Sequence, residues 1–179
     1  MNLPEHLGGH SNKTHIDGGA INWLKDFIKI KSFVDVGCGP GGMVELAKKK
    51  GMRALGIDGD YTLVRSDPSL YILHDYTKGP LVLEERFDLC WSCEFVEHVE
   101  EQYVDNFMQT MNCADMVVVT HAPPGKVGHH HVNCQHAEYW IDVFKNYNFK
   151  FDEELTKKVR EMSSQLKPFV RHNGLFFVR

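Results

Sequence analysis

The sequence has no apolar run long enough to span a bilayer and no secretory leader pattern, so neither a membrane protein nor an exported one is expected. A basic excess is also missing. Twenty Lys and Arg stand against 24 Asp and Glu, for a formal net charge of −4 and a pI near 6.2, and no global field draws in a polyanion. Nucleic acid is therefore not the expected partner. Cysteines are few and odd in number: Cys38, Cys90, Cys93, Cys113 and Cys134. Most fall in expected strands or in a glycine turn, which excludes a disulfide framework and points to a reducing, cytoplasmic location. Cys90 and Cys93 have C-x-x-C spacing, but no second pair accompanies them and they follow a buried strand, so zinc and redox chemistry are not read there. No internal repeat or low-complexity linker divides the chain. At 179 residues there is little room for a separate substrate domain, and residues 1–179 are read as one domain.

What is present centres on Phe33-Val34-Asp35-Val36-Gly37-Cys38-Gly39-Pro40-Gly41-Gly42. Phe33, Val34 and Val36 suit a buried strand. Gly37, Gly39 and Gly41 allow positive φ and a close ligand approach. The helix expected from Gly42 aims unpaired N–H groups and its positive dipole end at the same spot. Gly37, Gly39 and Gly42 also fit G-x-G-x-x-G, with Asp58 ending the next strand 21 positions after Gly37. At this level a dinucleotide and other nucleotide-like ligands are both open.

The rest of the chain reads as support for that turn. Residues 1–12 are polar and glycine-bearing, His6, His10 and His15 precede the first helix, and residues 1–16 are expected to form a loop or lid. Asp17 suits an N-cap, with Ala20, Ile21, Leu24, Phe27 and Ile28 on one helical face. Strands are predicted at 33–36, 53–57, 70–74, 87–91 and 115–120, with helices near 42–50 and 100–112, a βαβ rhythm that implies a parallel sheet. Helical spacing recurs in Tyr103, Val104, Phe107, Met108 and Met111 and in Tyr139, Trp140, Val143, Phe144 and Tyr147, which are assigned to the core. A short strand at 148–151, a helix over 153–166 with Leu155, Val159, Met162 and Leu166 inward, and a strand at 174–179 complete the pattern.

Asp35-x-Gly37-x-Gly39-x-Gly41 resembles motif I of the class I S-adenosylmethionine (SAM) dependent methyltransferases, and the resemblance runs from about Asp17 to the C-terminus. It implies an α/β, three-layer Rossmann-like fold with a mostly parallel seven-stranded sheet and an antiparallel C-terminal strand. It further implies SAM as cofactor, S-adenosylhomocysteine as product, and binding through Gly37, Cys38, Gly39 and Gly41 of the turn. By the same resemblance Asp35 helps hold the methionine portion, Asp58 takes the ribose hydroxyls, and Asp75 meets the adenine amino group with Tyr76 as a ring neighbour. Residues 87–99 resemble the family's fourth-strand motif, which puts Ser92, Cys93 and Glu94 near the methionine side. A carboxylate at Asp35 is a poor neighbour for a pyrophosphate, which sets an NAD(P)-dependent oxidoreductase second. A SAM-binding subunit without turnover is the non-enzymatic alternative. Ala122-Pro123-Pro124-Gly125 lacks the flanking residues of amino-methylating DNA enzymes.

Eleven histidines are the unusual feature. His98, His121 and the run His129-His130-His131 lie in or near loops expected at strand carboxyl ends, where ligands bind. His98, His121 and His130 are the candidate general bases for a hydroxyl acceptor. The other use is a divalent metal held by Glu94, Glu97 or these histidines; the metal-free base is preferred, because three adjacent histidines in an extended loop cannot face one centre. The acceptor expected is a small molecule or a glycan, methylated at oxygen, with specificity set by the N-terminal segment and by residues 121–135. Nothing in the sequence indicates an oligomeric state.

Overall fold

Strand and helix alternate as the periodicity implies, and a computed structural model describes residues 3–179; Met1 and Asn2, the first two residues of the expected lid, lie outside the described residues. The strands are β1 (Ser32–Val36), β2 (Arg53–Asp58), β3 (Tyr71–Leu73), β4 (Phe87–Ser92), β5 (Ala114–Thr120), β6 (Lys150–Phe151) and β7 (Gly174–Val178). They form one sheet in the order β3-β2-β1-β4-β5-β7-β6. β1 pairs in parallel with β2 and β4, β2 with β3, and β4 with β5, whereas β7 runs antiparallel between β5 and β6. The chain leaves β1 in one direction and returns to its other side at β4. The carboxyl ends of these two strands therefore flank a topological switch point, where open α/β sheets bind ligands.

The helices are α1 (Gly18–Trp23), α2 (Gly42–Lys49), α3 (Val104–Met111), α4 (Ala137–Asn146), α5 (Glu153–Met162) and α6 (Phe169–Asn173). Alternation along the strands sorts the core onto two faces. Val34, Val36, Cys90, Val117, Val119 and Phe177 pack with Phe107 and Met108 of α3 and with Trp140 and Phe144 of α4. Phe33, Leu89, Trp91, Val118 and Phe176 pack with Ile21 of α1, Val44 and Ala47 of α2, Val159 of α5 and Val170 of α6. Both faces are covered, which is why the inner strands read as continuous apolar runs.

Some expectations need correcting. Phe27 is 75% exposed, because α1 widens after Trp23 into a π-helical turn, Leu24–Ile28, that ends at Lys29 in a left-handed conformation. Leu166 is fully exposed, since α5 stops at Met162 where Ser163 turns extended, and Met162 is itself 36% exposed. α6 was not foreseen in the sequence. Tyr103, Tyr139 and Tyr147 are only partly buried, packed against the core rather than inside it. β3 has three residues, because Pro68–Leu70 forms a separate 3-10 turn capped by Asp67.

Asp17 caps α1 as expected, accepting the Ala20 N–H at 3.0 Å. Fully buried, it also accepts the Ser163 hydroxyl at 2.6 Å and the Ser164 N–H at 2.8 Å, so the start of the first helix is tied to the loop that follows α5.

Candidate functional site

The glycine turn is fastened from both sides. The N–H groups of Gly37 and Cys38 both donate to the carbonyl of Ile57, at 2.9 and 3.1 Å, which locks the end of β1 to β2. Gly37 and Gly41 have φ of +76° and +90°, and a Cβ at either would collide, with the Phe95 ring at 2.3 Å or the Tyr71 hydroxyl at 2.3 Å. Gly39, at φ +51°, has no atom closer than His10 Cβ at 3.5 Å, so the turn is open to a ligand at this one glycine. Asp58 at the end of β2 accepts the Gly39 N–H at 2.7 Å and the Asp60 N–H at 2.9 Å.

A cleft of about 260 Å³ opens above this turn. Its floor is Asp35, Gly37, Cys38, Gly39 and Asp58, with Asp75 and Tyr76 along one wall and Trp91, Cys93, Glu94 and Phe95 along another. Three carboxylates from successive strand ends thus meet around one turn. Burial lifts the Asp35 carboxyl well above the usual carboxylate range; the charge of Asp58 lifts it further and Arg65 opposes. For Asp75 burial acts upward too, but hydrogen bonds from Thr77 and His6 outweigh it and hold the group below its ordinary value. Tyr76 is buried, its hydroxyl donating to Thr110 Oγ1 at 3.0 Å, so its ring rather than its hydroxyl faces the cleft.

The segment before α1 roofs the cleft. His6 Nε2 lies 3.2 Å from Asp75 Oδ2, His10 Nε2 lies 3.0 Å from Asp60 Oδ2, and Thr14 Oγ1 accepts the Gly42 N–H at 3.0 Å at the start of α2. His129 Nε2 donates to the Glu5 carbonyl at 2.8 Å and pins the roof to the histidine loop. The roof lies over Asp58 and Asp75, the half of the cleft the sequence assigned to the cofactor rather than to the acceptor, and is held beside it by Asp60.

The mouth is built from the turn after β4 and the loop after β5. Glu94 adopts φ +57°; its N–H donates to Thr120 Oγ1 at 2.8 Å, and that hydroxyl donates back to Glu94 Oε1 at 3.1 Å. Glu97, in the following 3-10 turn Val96–His98, is buried, and its carbonyl accepts the N–H groups of Val132 and Asn133, both at 3.0 Å. Burial raises the Glu94 carboxyl; burial and then the charge of Glu94 raise that of Glu97. His98 is pushed down to about 4 by burial and by its neighbour His131, so its ring is neutral at ordinary pH.

Four of the candidate base and cofactor residues, and the candidate metal ligand Glu97, stand outside the cleft lining. His121 is buried at the end of β5, where Nδ1 donates to the Gln135 carbonyl at 3.0 Å and braces the loop. His130 adopts φ +45°, which turns it toward Glu100, 3.8 Å away, while His129 and His131 face the cleft. Ser92 is buried, its hydroxyl donating to the Val36 carbonyl at 2.9 Å across β4 and β1. Gly41 is the N-cap of α2, behind the turn's open side. The structure adds lining residues with no local sequence signal. Lys167 and Phe169 come from the far end of the chain, and Phe169 meets the His15 ring edge-on at 4.8 Å. Phe95, inside the fourth-strand motif, lines the cleft as well, and its ring fills the space that a side chain at position 37 would need.

Residues 34–118 match the family described as a methyltransferase domain. No curated protein matches the chain by sequence. The fold is similar to that of a TehB-like SAM-dependent methyltransferase from Corynebacterium glutamicum, at 16% identity and TM-score 0.61, covering 90% of this chain and 87% of that one. It is similar also to magnesium protoporphyrin IX methyltransferase from Synechocystis with bound S-adenosylhomocysteine, at 14% identity and TM-score 0.62, covering 89% and 80%. A third similar structure is a phosphoethanolamine N-methyltransferase from Haemonchus contortus with S-adenosylhomocysteine, at 17% identity and TM-score 0.57, covering 80% of this chain and 40% of that one. Residues 34–118 therefore belong to the methyltransferase-domain family, and the chain has the Rossmann-like fold of the class I SAM-dependent methyltransferases.

Proposed function

We infer that the chain is a SAM-dependent methyltransferase, one catalytic domain under an N-terminal lid, that methylates a small-molecule or glycan-like acceptor at oxygen. The observation that carries this reading is that Asp35, Asp58 and Asp75 line the same cleft as the open side of Gly39. Carboxylates suit a ligand that bears a sulfonium, an ammonium and ribose hydroxyls, and repel the pyrophosphate of a dinucleotide. Asp58 would accept from the ribose, Asp75 from the adenine amino group, and Asp35 would face the methionine portion. Solved structures of similar fold carry S-adenosylhomocysteine and act on acceptors as different as a porphyrin and a phosphoethanolamine, so the acceptor is read from the mouth of this cleft alone.

At the mouth, Glu94, His98 and His131 face the space beyond the cofactor half. A lone pair of the acceptor hydroxyl forms the O–C bond, the C–S bond breaks with its electron pair returning to sulfur, and the hydroxyl proton leaves toward this cluster. Alignment of the three reacting atoms supplies much of the rate, and the lid excludes water. Among the described residues no helix is long and apolar enough to cross a membrane, in keeping with an acceptor met in solution.

Calorimetry tests the reading. S-adenosylhomocysteine should bind in the micromolar range, about −8 kcal/mol, NAD should not compete, and Asp58→Ala should weaken binding by about tenfold or more. Tighter binding of NAD than of SAM would overturn it.

A further inference from the structure

Glu97 is fully buried, and its carboxylate oxygens receive no N–H or hydroxyl donor; the group beside them is the carboxyl of Glu94. A buried carboxylate left this way is costly unless it holds a proton or a cation completes it. Two histidines flank it with their lone pairs prepared. His98 Nδ1 donates to the His129 carbonyl at 2.8 Å, and His131 Nδ1 donates to the Lys126 carbonyl at 2.9 Å, so in the neutral form of each ring the lone pair lies on Nε2. Anchoring of the far nitrogen by a carbonyl is the outer-shell arrangement that orients metal-binding imidazoles. Ligand atoms of Glu97, His98 and His131 all lie within 4.8 Å of one another, close to the roughly 3–4 Å between donors that share one ion at about 2.1 Å. No other such group occurs among the described residues.

The cluster is held by the backbone as well. The Glu97 carbonyl binds the N–H groups of Val132 and Asn133, which fixes the turn carrying Glu97 and His98 against the loop carrying His131. The difficulty that three adjacent histidines cannot face one centre does not arise, because His129 is spent on Glu5 and His130 turns toward Glu100.

Of the two roles the sequence leaves open to these residues, we propose the metal-bound one: Glu97, His98 and His131 hold a divalent first-row transition-metal ion at the cleft mouth. Two imidazoles and one carboxylate suit manganese, iron, cobalt or zinc better than magnesium or calcium, which take oxygen ligands. Three protein ligands leave positions for an acceptor hydroxyl, whose proton the ion would make easier to lose toward Glu94, the member of the mouth cluster that is not a ligand, as the methyl group transfers. That last role rests on the methyltransferase reading; the binding site does not.

The experiment is a titration of the chelator-treated full chain with Zn²⁺ by calorimetry and with Co²⁺ by visible absorption, beside a titration with S-adenosylhomocysteine. One equivalent of each metal should bind, with a Co²⁺ spectrum showing nitrogen ligation. Glu97→Gln and His131→Asn should each weaken binding at least about tenfold, with S-adenosylhomocysteine affinity unchanged. His131→Asn alters a half-buried loop side chain and keeps the test open if Glu97→Gln fails to fold. Absence of stoichiometric metal binding, or unchanged affinity in folded His131→Asn, would overturn the site while leaving the methyltransferase reading intact. Metal binding without any S-adenosylhomocysteine binding would support the site and sink that reading instead.

Discussion

His10 Nε2 stands 3.0 Å from Asp60 Oδ2, while Nδ1 of the same ring accepts the Asn12 N–H at 2.9 Å, so the proton sits on Nε2 and points at the carboxylate. The contact therefore forms with a neutral ring and does not wait for histidine to protonate. With His6 on Asp75, it makes two clasps that hold the lid to the cofactor half of the cleft.

These clasps should open in acid. Hydrogen bonds from Thr62 and His10 hold Asp60 below its ordinary value despite the upward push of burial, and Asp75 is held down in the same way. A carboxylate with a depressed folded value contributes above the unfolded value of about 4 and is lost as pH falls through the folded one. Amide exchange across residues 5–12, corrected for its intrinsic pH dependence, should show protection holding from neutrality to mildly acid pH and failing below that. His6→Ala should speed SAM release by about threefold to tenfold, a modest effect because it removes one of two clasps. Stopped-flow release unchanged in His6→Ala would mean that the lid does not gate the cofactor.

Gly37→Ala and Gly39→Ala should separate folding from binding. At Gly37 the new Cβ meets the Phe95 ring at 2.3 Å in a left-handed backbone, so a loss of about 1–3 kcal/mol in urea unfolding is expected. At Gly39 the nearest atom is 3.5 Å away, so stability should fall by only about 1 kcal/mol, while SAM affinity falls further. Equal effects of the two substitutions on both measurements would contradict an open face at Gly39 alone.

Asp35 gives the stability curve a slope of opposite sign to that of the clasps. Its carboxyl is raised by burial, then by Asp58, so between the ordinary value and the raised one the folded protein holds a proton that the unfolded chain has released. Stability of the ligand-free protein should consequently decline as pH rises through that window. Asp35→Asn should flatten the decline, leave the empty protein more stable at pH 8, and weaken SAM by about tenfold. Denaturation midpoints at pH 5 and pH 8 for both proteins provide the check.

Asp17→Ala should cost about 2–4 kcal/mol, more than an ordinary cap, because it strands the Ala20 and Ser164 N–H groups and the Ser163 hydroxyl around a buried site. Chemical denaturation measures this directly, and a loss below about 1 kcal/mol would reduce Asp17 to a simple cap.

The sheet and the floor of the cleft were legible in the sequence because their signals are local. Alternation placed Phe33, Val34 and Val36 on two faces of one strand, and Gly37, Gly39 and Asp58 were identified by spacing alone. Residues whose positions depend on distant chain were not legible. Lys167 and Phe169 line the cleft from more than 60 residues beyond Glu100, and no periodicity announces them. His121 and His130 were set in the cleft because their loop is there, but a buried hydrogen bond to Gln135 and a left-handed backbone decide where each ring goes. Phe27 and Leu166 had helical spacing, yet a widened turn and an early stop removed the helix beneath them.

β7 lies between β5 and β6, although it is the last strand in the chain. Synthesis runs from the N-terminus, so β1 to β5 and the floor of the cleft leave the ribosome while the β5 edge along Val117, Val118 and Val119 is still unpaired. Ser163 and Ser164, which anchor the base of the lid through Asp17, also emerge late. A nascent chain therefore carries an exposed apolar strand edge until β7 has emerged, and Asp17 lacks its serine partners until Ser163 and Ser164 have. Completion of the sheet thus waits on β7, and a chain cut before Gly174 keeps the β5 edge open to pairing with other chains.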